Sequence, residues 1–156
     1  RRQRQMCIRD SETEELVRKA LEELAVQLAC DKITKEEIEE MKKAAEDFKK
    51  ILKSKDITEI AEADVRFHDI IYMATDNQKL IQLLNNLREQ MYRYRVEYLK
   101  DVESRKTLVE EHYAVYRALK ARNQQQAVKD ICIHIVNQQN AILRSLEQMN
   151  KEEQEK

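Results

Sequence analysis

The sequence predicts an all-α fold, an antiparallel bundle of about six helices, on three observations. The 156 residues contain no Gly and no Pro, where average usage would give about eleven and eight. Apolar residues recur at helical spacing (i, i+3, i+4, i+7) through most of the chain rather than alternating. Charged residues make up 38% of the chain and crowd the positions between the apolar stripes, as on the solvated faces of amphipathic helices.

The elements follow in order. Residues 1–11, RRQRQMCIRDS, are basic and lack an apolar helical period. The string RQMCIRDS resembles a translated sequencing adapter, so this stretch reads as a leader, non-native or disordered, and Cys7 carries no weight. Ser11-x-x-Glu14 has the pattern of a capping box, and Leu16, Ala20, Leu21, Leu24, Ala25 and Leu28 form a stripe behind it as far as Cys30. Thr34-x-x-Glu37 opens a second helix, with Ile38, Met41, Ala45, Phe48 and Leu52 on one face. Asp56 and Thr58 open a third, with Ile60, Ala63, Phe67, Ile70, Ile71 and Ala74. Asp76 or Asn77 separates it from a fourth, which carries Leu80, Leu83, Leu84, Leu87 and Met91 and runs to about Leu99. After a polar break at Asp101–Ser104, a fifth helix carries Leu108, Val115 and Leu119. Asn123 is a suitable N-cap for a sixth, with Ala127, Ile131, Ile135, Ile142 and Leu146, which ends in a charged tail. The predicted organisation is a leader (1–11), one helical domain (12–149) and a tail (150–156).

Composition excludes several functions. Without Gly there is no phosphate-binding loop, dinucleotide fingerprint, nucleophile elbow or EF-hand loop, because each needs Gly where a Cβ would clash. A formal net charge of −1 gives no general attraction to nucleic acid or to an acidic membrane. Cys7, Cys30 and Cys132 are odd in number and far apart, which suits a reduced cytoplasmic setting. The apolar runs are too short for a membrane span.

Three histidines remain as candidates for chemistry: His68, His112 and His134, each on a different predicted helix. Asp64 precedes His68 by four residues, so both can reach one point on a helix face. Imidazole with carboxylate suits a borderline divalent metal, Zn²⁺ foremost, with Ni²⁺, Mn²⁺ and Fe²⁺ as alternatives. His134 sits within Ile131–Val136, where an unpartnered polar ring would be costly. On one continuous helix His112 and His134 would lie about 33 Å apart. A shared metal therefore requires the chain to reverse near Asn123. Asp130, four residues before His134, and Glu111, beside His112, are candidates to orient the rings. Met91-Tyr92-Arg93-Tyr94-Arg95 mixes aromatics with Arg, and reads as packing at a pocket or dimer edge. Cys132 reads as core.

The pattern Asp64-Val65-Arg66-Phe67-His68, then Asn77 with Leu80, Glu111-His112, Ala127 and His134-Ile135 resembles the FadR-like C-terminal domain (FCD) of GntR-family transcription regulators. Val17-Arg18-Lys19-Ala20-Leu21-Glu22 resembles that domain's opening helix. The resemblance covers about residues 12–148. It implies a helical bundle that is dimeric in the whole regulator and, in the metal-containing branch, a divalent cation held by Asp64, His68, His112 and His134. It also implies a small carboxylate effector, with Arg18 placed to pair with it. Asn137, one turn beyond His134, is a further candidate at the effector cavity. In the family an N-terminal winged helix-turn-helix binds operator DNA; nothing of that kind precedes Glu12 here, so specific DNA recognition would rest on that absent domain.

The expected function is thus effector sensing and dimerisation within a transcription regulator rather than catalysis. The alternative is a metal-dependent hydrolase or lyase using the same His/Asp site; against it, the sequence has no HExxH motif and no Glu-x-x-His pair of the di-iron bundle type.

Overall fold

The computed structural model describes the backbone of residues 2–154 and the side chains of 13–141, 143 and 144. Among the described residues there are seven helices and no strand: α1 (Arg2–Lys32), α2 (Lys35–Ile51), α3 (Ile57–Ala74), α4 (Gln78–Asn86), α5 (Arg88–Lys100), α6 (Val102–Lys120) and α7 (Gln124–Gln154). Short connections force successive helices to reverse, and the bundle is all-α as expected.

Side-chain caps define most of the breaks. Thr34 and Glu37 form the expected capping box at α2. The Asp56 carboxylate accepts from the amides of Thr58 and Glu59, Asn77 from Leu80, and Asp101 from Glu103 and Ser104. Asn123 Oδ1 accepts from Gln126 N at 3.1 Å. Each cap satisfies amides that the first helical turn leaves unpaired. The turn after α6 is tied by the Asn123 amide bonding back to the Ala118 carbonyl at 2.9 Å, with Arg122 in the left-handed region at φ 51°. The Arg122 guanidinium then closes the end of α1, donating to the carbonyls of Cys30 (2.6 Å) and Ile33 (2.5 Å).

Three expectations are corrected. The predicted fourth helix is two helices. The chain bends at Leu87, whose amide bonds Leu84 O in a tighter turn, behind the poor helix formers Asn85 and Asn86; no side chain caps α5, so the sequence carries no start signal there. The backbone of α1 is helical from Arg2 and that of α7 continues to Gln154. The helix therefore does not begin at Ser11, whose side chain, with those of Cys7, Ile142 and Leu146, lies outside the described residues.

The third correction concerns the face of α1. Leu16 is 69% exposed and Leu24 40%. The buried side is Glu15, Arg18 and Glu22, followed by Ala25, Val26, Ala29 and Cys30. The reason is tertiary: polar partners on α3 and α7 face that side, as described below. Elsewhere the expected stripes are largely buried, including Met41, Phe48, Phe67, Ile71, Leu84, Leu119 and Ile131, whereas Leu83 is 40% exposed. Two apolar clusters result, one around Met41, Phe67 and Leu119, the other around Phe48, Tyr98 and Leu108. A layer of buried polar side chains lies at their junction.

Candidate metal centre

The polar layer is built from α3, α6 and α7. Asp64 and His68 share one face of α3, next to buried Phe67 and Ile71. His112 lies on the buried side of α6 and His134 on that of α7. The reversal at Ala121–Asn123 brings these two histidines together, as a shared site requires. His112 is fixed by aromatic packing: its ring stacks on Phe67 (centroids 4.0 Å, interplanar angle 13°) and meets the edge of Phe48 at 4.6 Å.

The four predicted ligands converge. Ligand atoms of Asp64, His68 and His134 lie within 4.8 Å of one another. His112 Nε2 is 2.8 Å from Asp64 Oδ1, and His68 Nε2 is 3.8 Å from the same oxygen. All four side chains are buried, none more than 1% exposed.

The contact between His68 Nε2 and His134 Nε2, at 3.1 Å, is the most informative. His134 Nδ1 is 2.8 Å from Glu111 Oε2, so the proton sits on Nδ1 and donates to that carboxylate. His68 Nδ1 faces Glu22 Oε2 at 3.5 Å, and the same electrostatics put the proton of His68 there. With the proton of each ring on Nδ1, both Nε2 atoms present lone pairs to each other; with the proton of His68 on Nε2, the same contact is a hydrogen bond to His134. Facing lone pairs repel unless a cation lies between them. Two nitrogens about 2.1 Å from one cation would be about 3.0 Å apart at an octahedral angle and about 3.4 Å apart at the tetrahedral angle usual for zinc, and the observed contact lies between them. The donor set fits a divalent cation.

Each carboxylate around the site has a role. Asp64 Oδ2 accepts from Arg95 Nε on α5, which holds the second oxygen while Oδ1 faces the histidines. Glu111 bridges His134 and Asn137, whose Nδ2 donates at 2.6 Å. Glu22 Oε1 accepts from the Tyr72 hydroxyl at 2.6 Å. Farther out, Arg18 donates to Gln138 Oε1 at 2.6 Å and to Glu15 Oε1 at 3.3 Å.

Electrostatics favour the ligand forms. Burial pushes the His68 imidazole down to about 4, against the pull of Glu22 and Asp64, and lowers His112 against Asp64. Neutral imidazole is the form that binds metal. Burial alone would lift the Asp64 carboxyl, but Arg95 and the histidines hold it well below the usual carboxylate range. Glu22, also buried, is held at about 2 by His68 and Arg18. Four buried carboxylates (Glu15, Glu22, Asp64, Glu111) face two buried guanidiniums, Arg18 and Arg95. That formal excess of two negative charges is costly in a dry interior, and one divalent cation would cancel it.

Two assignments change. Asp130 does not reach His134: it is half-buried and accepts from Gln126 Nε2 at 2.8 Å. Its carboxylate is taken up by Gln126, one turn back, while the His134 ring turns to Glu111 on α6. Glu111 takes that place, serving His134 across the helix pair rather than its neighbour His112. Cys132, expected in the core, is half-buried, with its thiol donating to Glu23 Oε1 at 2.8 Å. Sequence reading missed Arg95, Glu22 and Tyr72. The only signal was local: Glu22 lies one turn after Arg18, while the partners of Arg95 and Tyr72 are remote in sequence.

A helical bundle with buried charges on its first helix has relatives. The FCD domain family model matches residues 15–137. This chain belongs to the FCD domain family. Among curated proteins, the HTH-type transcriptional regulator YdhC of Bacillus subtilis (strain 168) is 25% identical over 119 residues, covering 76% of this chain and 53% of that protein. The chain thus spans about half the length of the curated relative it matches. Among solved structures, E. coli McbR/YncC aligns at TM-score 0.74 with 21% identity, covering 89% of this chain and 69% of that one. A GntR-family transcriptional regulator from Pseudomonas syringae pv. tomato str. DC3000 aligns at 0.70 with 19% identity, covering 92% and 60%. These two likenesses establish the fold. The curated relative is an HTH-type transcriptional regulator. No helix among the described residues is long and apolar enough to cross a membrane.

Proposed function

We propose that this FCD domain is the effector-sensing and dimerisation module of a cytoplasmic GntR/FadR-type transcription regulator. It holds a divalent cation, Zn²⁺ foremost, on Asp64, His68, His112 and His134, and a small organic acid near Arg18 and Asn137. DNA binding belongs to an N-terminal winged helix-turn-helix of the whole regulator. The observation that carries the reading is the pair of Nε2 atoms 3.1 Å apart, beside the Asp64 carboxylate, in a buried site with excess negative charge. The bound cation supplies a Lewis-acidic point that ties three helices together and can accept an acid's carboxylate.

The chain's own residues do the rest. Arg95 holds Asp64 in place, and Glu111 fixes the tautomer of His134. An acid shifts the domain between states only by its difference in affinity for them. Dimerisation is supported by the misplaced stripe on α1. Leu16, Val17 and Leu24 are exposed, as are Ile133, Val136 and Leu143 on α7. The contacts Arg18–Gln138 and Glu23–Cys132 set the register of the two helices, and it brings the two stripes level with each other. Such a face suits a second copy of the chain.

Native mass spectrometry of protein purified without chelator tests all three parts. The expected spectrum is a dimer with one metal per chain and, where an acid co-purifies, its added mass. Metal-free protein that takes up no Zn²⁺, Ni²⁺, Mn²⁺ or Fe²⁺ on titration would overturn the metal assignment.

A further inference from the structure

Arg18 is an arginine whose fork is poorly used. It is 1% exposed, yet its Nε has no hydrogen-bond partner. Glu15 meets it through a single oxygen at 3.3 Å, and the other oxygen, Glu15 Oε2, is buried without a partner. Gln138 gives its oxygen to Arg18 while its own Nε2 is also unpartnered. A guanidinium normally grips a carboxylate through two parallel bonds of about 2.8 Å. Three unsatisfied polar atoms around one buried guanidinium mark a position shaped for a better acceptor than the one it holds.

The present occupant is free to leave. Glu15 lies among exposed residues of α1: Thr13, Glu14, Leu16 and Val17 all face solvent. Glu15 is itself 4% exposed, and exchange requires its carboxylate to turn from Arg18 toward that solvent-facing side of α1. Its setting favours departure, because burial and the neighbouring Glu22 charge both push the Glu15 carboxyl up against the pull of Arg18.

We propose that Glu15 is a built-in carboxylate that occupies Arg18 until an effector acid exchanges with it. Arg18 then exchanges its 3.3 Å contact with Glu15 for a bidentate contact with the acid, keeping Glu22 at 3.8 Å, and Glu15 loses its tie through Arg18 to Gln138 on α7. The inference rests on Arg18 being the acid-binding arginine and adds that binding is competitive with the chain's own side chain. Competition multiplies the apparent affinity by the fraction of molecules in which Arg18 is free.

The test uses acetate as probe on the whole chain, by calorimetric titration of the native protein, Glu15→Gln and Arg18→Lys. Carbon NMR of the glutamate side-chain carboxyls is followed in the native protein alongside. The expected result is acetate binding about tenfold tighter in Glu15→Gln than in the native protein, and severe weakening in Arg18→Lys, which keeps the charge but loses the fork. On acetate addition the Glu15 carboxyl signal should move to the position of a solvated glutamate. Equal affinity in the native protein and Glu15→Gln, with loss in Arg18→Lys, would overturn the exchange while leaving Arg18 as the acid site. Equal binding in the native protein and Arg18→Lys would overturn the role of Arg18 itself. A Glu15 carboxyl signal unmoved at saturating acetate, or acetate binding to none of the three proteins, would overturn the exchange even if a variant folds poorly.

Discussion

Glu111 Oε2 sits 2.8 Å from His134 Nδ1, joining α6 to α7 at the buried layer. The contact sets which nitrogen of His134 carries the proton and so which one faces Asp64 and His68. Removal of such a partner typically costs about 10–100-fold in metal affinity. Glu111→Ala is expected to fall in that range for Zn²⁺ in competition with a chromophoric chelator. Glu111→Gln, which keeps an acceptor oxygen, should recover part of the loss. Native affinity in Glu111→Ala would show that His134 needs no orienting partner.

This contact also shows what the sequence could and could not reveal. Spacing assigned Asp130 to His134 and Glu111 to its neighbour His112, and only the packing of α6 on α7 gives Glu111 to His134. The meeting of Asp64, His68 and His134 was legible in part, because Asp64 and His68 share a helix face and a histidine inside the apolar run 131–136 needs a partner. The helix breaks at Thr34, Asp56, Asn77, Asp101 and Asn123 were legible because each has a capping side chain. The break at Leu87 has none. The face of α1 was misread because local periodicity favours the Leu16–Leu24 stripe, whereas Arg18 and Glu22 are drawn inward by Gln138, Tyr72 and His68. Arg95 was hidden in a run that reads as surface, since its partner Asp64 is thirty-one positions away.

Arg95 and Asp64 are both buried, at 2% and 0% exposure. Loss of one member of such a pair leaves an uncompensated charge, at a cost of about 3–5 kcal/mol. Arg95→Met is expected to lose that much in urea unfolding of metal-free protein. The double variant Arg95→Met/Asp64→Asn should recover most of it. A cost under about 1 kcal/mol for the single variant would mean that the pair carries no net stability.

The exposed stripes on α1 and α7 make a separate prediction. Leu16→Glu and Ile133→Glu place charges on residues that are 69% and 45% exposed. Such surface changes should move stability by no more than about 0.5 kcal/mol. Within a dimer interface they should instead shift sedimentation from dimer to monomer. Native protein that sediments as a monomer, or variants that remain dimeric, would remove this face from the interface.

Two residues share an unusual backbone and should respond differently to the same substitution. Asp76 and Arg122 lie in the left-handed region, at φ 48° and 51°, in a chain with no glycine to supply it. That conformation costs a residue with a Cβ about 1 kcal/mol. Asp76→Gly relieves the cost, and the larger entropy of an unfolded glycine takes part of the gain back, so its melting temperature should be unchanged or slightly higher. Arg122→Gly gains the same relief but leaves the carbonyls of Cys30 and Ile33 without their charged donor at the end of α1. Hydrogen bonds to a charged group contribute about 1.5–3 kcal/mol, so the loss outweighs the gain and the melting temperature should fall. Thermal unfolding of the two variants side by side checks this. Equal shifts would mean that the guanidinium at residue 122 does not support α1.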